Sequence, residues 1–145
     1  MTHGDWANPA LPFAAQGVNG RGSGFAAAPT GAGFGEYPTT LTIAFTKRDE
    51  ESTVLVRAAA TFFTDNVNTG VEFGVGMFGF DISVSILGAA GTANSRKQSF
   101  GEVEVGGLPA GSTTVVMRWR RWDGTGSVFA GSNDFVCMFV EELGA

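Results

Sequence analysis

The sequence predicts an all-β chain: an eight-stranded antiparallel jelly-roll sandwich preceded by an extended, irregular N-terminal arm. Three observations lead there. From residue 39 onward, apolar and polar residues alternate in short runs, the two-residue period of a half-buried strand. Clusters of Gly, Pro, Asn and Asp separate the runs, and these residues form turns. No stretch makes a convincing helix. Short strands with turns at this spacing build sandwiches or barrels, and eight of them suit a jelly roll.

Residues 1–38 form the expected arm and residues 39–145 the sandwich. The arm is rich in Gly, Ala, Pro and Asn, with no strand or helix period and only Asp5, Arg21 and Glu36 charged. Five rings punctuate it: Trp6, Phe13, Phe25, Phe34 and Tyr37. A plain linker has no use for them. They either fold back onto this chain or dock into pockets on a neighbouring subunit or scaffold, ordering as they bind.

In the sandwich, Thr39 to Thr46 alternates with Leu41, Ile43 and Phe45 on one face. Lys47 to Glu51 carries charges of both signs and reads as a solvated turn. Ser52 to Phe63 forms a second strand with Val54, Val56, Ala58, Ala60 and Phe62 inward, and 65–70 is a loop of turn formers. Val71, Phe73, Val75 and Met77 share the inner face of a third strand. Gly74 and Gly76 lie on its other side, where glycines call for a closely packed neighbour such as a ring. Phe80 to Ile86 alternates with apolar even positions. After a loop over 88–97, Gln98 to Val105 is a strand with Glu102 and Glu104 on its polar side.

Pro109 and Gly111 then make a tight turn, and Thr113, Val115, Met117 and Trp119 fall on one face of the strand that follows. Asp123 to Gly126 is a strong turn signal, 127–130 is a short strand, and the last strand ends near Val140–Leu143. Cys137 lies in an apolar run there and is expected as a small buried hydrophobe.

Composition narrows the function. The chain has 145 residues with 13 Phe against one Tyr, and only 16% are charged, which suggests apolar surface covered by something other than this chain. That favours an oligomer. A net charge of −5 speaks against nucleic-acid binding, where neutralising phosphate supplies most of the affinity. No window approaches the roughly 20 apolar residues of a membrane-spanning helix. No secretory leader is visible, so synthesis in a cytoplasm is expected, with an outer surface reached only through assembly or lysis.

Catalytic patterns are lacking. The single histidine, His3, sits in the arm, which rules out a His-based triad or metal site within the sandwich. One cysteine rules out an intrachain disulfide. Glu102 and Glu104 neighbour each other on one strand and cannot by themselves flank a sugar from opposite sides. Asp65, Asn66 and Asn68 miss the spacing of a calcium loop and its bidentate Glu. Gly74 to Gly79 is not followed by the Lys-Ser or Lys-Thr of a phosphate loop. The expectation is a protein that is not an enzyme and holds no cofactor or metal.

Arg118, Arg120 and Arg121 beside Trp119 and Trp122 make the sharpest surface feature. Arg118, Arg120 and Trp122 share a face if the strand continues regularly. Such a group can bind a carboxylate or a sugar face. It can equally bridge to acidic residues on an adjacent strand or subunit, with Glu102 and Glu104 as candidates.

The Leu108-Pro109-Ala110-Gly111 turn running into Thr114-Val115 and Trp119, with a closing Phe139-Val140-Glu141-Glu142-Leu143, resembles a known group. It looks like the tumour-necrosis-factor-like jelly rolls of bacteriophage virion proteins, which include capsid decoration proteins and tail-fibre tips. Thr113 stands where that turn often carries a histidine. The resemblance is strongest over 106–143, looser from 39, and does not reach the arm. It implies a homotrimer around a threefold axis with aromatic residues of one sheet at its centre. It further implies a place in the virion: decoration of the major capsid protein or, alternatively, a tail-fibre module recognising a host surface glycan.

Overall fold

The computed structural model describes residues 14–21, 26–39, 41–88, 96–131 and 134–144, the first of these as backbone. Its strands are β1 (Ala14–Arg21), β2 (Ala26–Ala27), β3 (Gly35–Glu36), β4 (Thr42–Lys47), β5 (Val54–Thr64), β6 (Val71–Met77), β7 (Phe80–Leu87), β8 (Lys97–Val105), β9 (Gly111–Arg121), β10 (Val128–Ala130) and β11 (Phe135–Glu142). Every pairing is antiparallel. One sheet, sheet I, runs β1-β11-β5-β8, with β10 pairing the far end of β5 and β2 pairing β10. In the other, sheet II, β4 and β3 pair successive parts of β9, followed by β6 and β7. Four long strands in each sheet make the jelly-roll sandwich.

The alternation read from the sequence decides which side chains meet between the sheets. Val54, Val56, Ala58, Ala60 and Phe62 of β5 are buried, as are Val71, Phe73, Val75 and Met77 of β6. Val115, Met117 and Trp119 of β9 face Val136, Met138 and Val140 of β11 across the core. Trp119 is central: its ring stacks on Phe73 with centroids 6.2 Å apart. Burying each such aromatic or branched side chain contributes about 1.5–3 kcal/mol.

Four features differ from the sequence reading. The stretch expected as an irregular arm supplies β1, β2 and β3, so β1 is the eighth long strand, while 127–130 gives only the short β10. These pieces are rich in Gly and Ala, which leaves no apolar period to read. Cys137 is exposed rather than buried. Val136, Met138 and Val140 take the inner positions of β11, so Cys137 must turn outward. Lys47 is buried instead of lying in a solvated turn, because β4 keeps its alternation through Ile43 and Phe45 to that position.

The fourth difference is in β7. Pairing with β6 slips between Phe73↔Ser85 and Gly74↔Ser83, leaving Val84 as the extra residue of a bulge. Beyond it the faces exchange. Ser85 turns inward and Ile86 is exposed, against the even-position pattern.

Candidate interaction surfaces

The outer face of sheet II is built by β9 between β6 and β7 on one side and the 28–36 segment on the other. Register sets Arg120 opposite Glu72 and Arg118 opposite Gly74. Glu72 is buried, and its carboxylate accepts from Arg120 Nε and from the Ser83 hydroxyl at 2.5 Å. Arg118 Nε donates to Asp81 at 2.9 Å. The pairing partners are therefore Glu72 and Asp81. Glu102 and Glu104 belong to other groups: Glu102 pairs with Arg57, and Glu104 accepts from Thr53 Oγ1 at 2.8 Å.

Both guanidinium groups also reach the 28–36 segment. Arg118 donates to the Phe34 carbonyl at 3.1 Å, and Arg120 to the Ala32 carbonyl. The Arg120 guanidinium lies 4.9 Å from the Phe34 ring centroid and 5.7 Å from that of Trp122. Of the two strand glycines, Gly74 meets a ring, since a Cβ there would lie 3.2 Å from Phe34 Cε1 as well as against the Ile82 carbonyl, whereas Gly76 is covered by the Val116 and Arg118 side chains. Arg121 points elsewhere, donating to the Gly126 carbonyl at 2.6 Å. Trp122 keeps 45% of its surface exposed beside this group.

Tyr37 corrects the docking assignment. It is buried in its own chain, with its ring 5.0 Å from Trp119 and its hydroxyl donating to the Thr61 carbonyl at 2.9 Å. Burial pushes its phenol well above the usual range, with the nearby Asp134 charge adding to this, so it stays a neutral donor. Tyr37 and Phe34 thus follow the fold-back alternative, because each finds its partners within this chain. Trp6, Phe13 and Phe25 lie outside the described residues.

Arg118 and Arg120 therefore act as a clasp, each tied to a carboxylate of the sheet and a carbonyl of the segment crossing it. Replacing Arg120 with Ala together with Glu72→Gln, so that no buried carboxylate is left unpaired, is expected to loosen residues 29–34 without unfolding the sandwich. Limited proteolysis should then cut near Gly31–Gly33 at least several-fold faster than in wild type. Unchanged cleavage would show that Tyr37 and β3 alone hold the segment.

Sheet I has a different outer face. Leu55, Arg57, Ala59 and Thr61 of β5 point outward between Gln98, Phe100, Glu102 and Glu104 of β8 and Phe135, Cys137 and Phe139 of β11. Phe100 is 65% exposed and Phe135 41%. Arg57 pairs with Glu102 and lies 5.3 Å from the Phe139 ring centroid. A depression of about 320 Å3 opens at Ala59 and Thr61, flanked by Gln98, Phe135 and Cys137. The sequence reading passed over this face although a signal existed. Residues 135–140 are apolar at every position, which marks a strand with both faces covered.

No family model matches the sequence, and no curated protein sequence matches it. Solved structures of similar fold are found at low identity. Eiger TNF from S. frugiperda is 13% identical, with 92% of this chain and 94% of that one covered and a TM-score of 0.49. Murine APRIL is 10% identical over 88% of this chain and 98% of its own, at 0.45. The VP2 subviral particle of infectious bursal disease virus is 7% identical over 95% of this chain and 41% of its own, at 0.47. With every score below 0.5, these likenesses say nothing about what this chain binds.

Proposed function

We propose that this chain is a non-enzymatic structural protein of a bacteriophage particle: a homotrimeric decoration protein, made in the host cytoplasm and assembled onto the outer surface of the major capsid protein. The contrast between the two outer faces carries this reading. Sheet II presents mostly Thr, Ser and Arg side chains, with Arg118 and Arg120 paired within the chain, and its exposed apolar groups, Ile86 and Trp122, stand apart from one another. Sheet I presents Phe100, Phe135, Phe139, Leu55 and Cys137 together on β5, β8 and β11, with Arg57, Glu102 and Glu104 toward one end of the face. A face of that character suits burial against other copies, and in this reading sheet I turns toward the threefold axis and sheet II outward. The virion setting comes from the Leu108–Gly111 turn and the strand after it.

A tail-fibre module that recognises a host glycan is the second reading. Trp122, exposed beside the Arg120 guanidinium, favours it.

Copy number separates the two. Quantitative mass spectrometry of purified particles should find this chain in amounts comparable to the major capsid protein. A few copies per particle would move it to the tail, and absence from particles would overturn both readings. Attachment is best tested by removing residues 1–13. Removing 1–38 would also take away β1 and the buried Tyr37.

A further inference from the structure

We infer that Phe100 is a knob that enters the depression at Ala59 on a second copy of this chain, so that each copy completes its neighbour's surface. The inference rests on the reading that copies assemble through sheet I, and it names the residues that make the joint.

Register places the parts. Phe100 of β8, Ala59 of β5 and Cys137 of β11 lie in one row across the outer face. Phe100 stands at one end of the row as the most exposed large apolar side chain among the described residues. Ala59, in the middle, has too small a side chain to fill the row, and the depression opens beside it. Its volume of about 320 Å3 has room for one aromatic ring, and its walls include Thr61, Gln98 and Cys137. Phe100 does not line the depression of its own chain and stands 65% exposed beside it.

A knob and a hollow at different positions join copies head to tail when one copy's knob enters the next copy's hollow, and a rotation of about 120° per joint closes a ring of three. The face spans four strands about 4.8 Å apart and roughly eight residues at about 3.3 Å each, on the order of 500 Å2 in projection. That area, enlarged by side-chain relief, is shared between the two joints each copy makes, so each joint is below the roughly 800 Å2 per partner of a standard interface and the closed ring, with three joints, supplies the stability. Arg57 and Glu102 neutralise one another beside the row, so this pair adds no like-charge repulsion when two faces meet.

The test uses the full chain in solution. Phe100→Ala should raise the concentration for half-assembly, read by light scattering after gel filtration, by at least tenfold while leaving the melting temperature of the dissociated chain unchanged. Phe100→Cys gives a second readout against the native Cys137. Within one chain these positions are two strand spacings apart, about 10 Å, and a disulfide needs Cα atoms within about 7 Å. Mild oxidation should therefore link only separate copies, giving covalent dimers and trimers that disappear when Cys137→Ser is added. Wild-type assembly by Phe100→Ala, or an assembled Phe100→Cys protein that forms no interchain disulfide, would overturn the knob and leave the assembly reading standing. A wild-type chain that stays monomeric at all concentrations would overturn both.

Discussion

Glu142→Gln should lower stability by about 3 kcal/mol near neutral pH, as measured by urea unfolding. Glu142 ends β11 with only 3% of its surface exposed. Its carboxylate accepts from the Arg48 amide at 2.9 and 3.0 Å, the Asp49 amide at 2.9 Å and the Ser52 hydroxyl at 2.6 Å. Lys47, 1% exposed, closes the same turn by donating to the carbonyls of Asp49 and Glu50, the latter at 3.0 Å. One carboxylate thus ties the last strand of sheet I to the β4–β5 turn of sheet II. Glutamine keeps the volume but loses the charge. Its amide nitrogen would face the donors that one carboxylate oxygen now accepts from, and Lys47 would lose its nearby counter-charge.

The same site sets a pH dependence. Burial pushes the Glu142 carboxyl up, but the Ser52 hydroxyl, the Arg48 and Asp49 amides and the Lys47 charge outweigh it and hold the group below the usual carboxylate range. The unfolded chain therefore takes up this proton at higher pH than the folded one. The stabilisation is complete above the usual carboxylate range and is lost as pH falls through the depressed value. Wild type and Glu142→Gln should differ most near neutrality and converge in acid. A gap that stays constant with pH would show that the charge is irrelevant and only shape was lost.

These predictions divide at what the sequence made legible. The inner faces of β5, β6 and β9 could be read because their apolar residues recur every second position and burial follows from that period. The same count sets Trp119 on the opposite face from Arg118 and Arg120, but which of the two faces is the core is decided by the packing of Trp119 on Tyr37 and Phe73. The Glu142 tie could not be read, because a buried carboxylate is specified by partners about ninety residues away in sequence. The β7 phase change was hidden for a similar reason, since a bulge is set by what packs across it. The arm strands gave no signal because Gly17 and Ala15 pair through backbone. Cys137 shows the reverse case: the alternation was there, but a continuous apolar run masked which half faced inward.

What lies across the β7 bulge leads to the second large effect: Gly101→Ala should destabilise the chain by about 3 kcal/mol or more, or prevent folding. Gly101 of β8 sits at one edge of sheet I, against the bulged edge strand of sheet II. A Cβ there would run into the Val84 carbonyl oxygen and come within 2.8 Å of its carbon and 2.9 Å of Ser85 Cβ. Backbone cannot rotate away as a side chain would, so the two edges would have to part. Beside this point the Ser85 and Ser99 hydroxyls bond to each other in a buried position. Parting would strand both. Gly106→Ala is the control, because its added carbon meets only Thr53 Cγ2 at 3.7 Å, an ordinary contact. That variant should stay within about 1 kcal/mol of wild type, with reduced unfolded-chain entropy acting in its favour. Equal melting temperatures for the two variants would mean that the edges of the sandwich are not in backbone contact. The consequence reaches assembly, since Phe100 precedes Gly101 on the same strand. A seam that holds β8 against β7 fixes the strand that presents the knob, so a Gly101→Ala chain that still folds should also assemble less well.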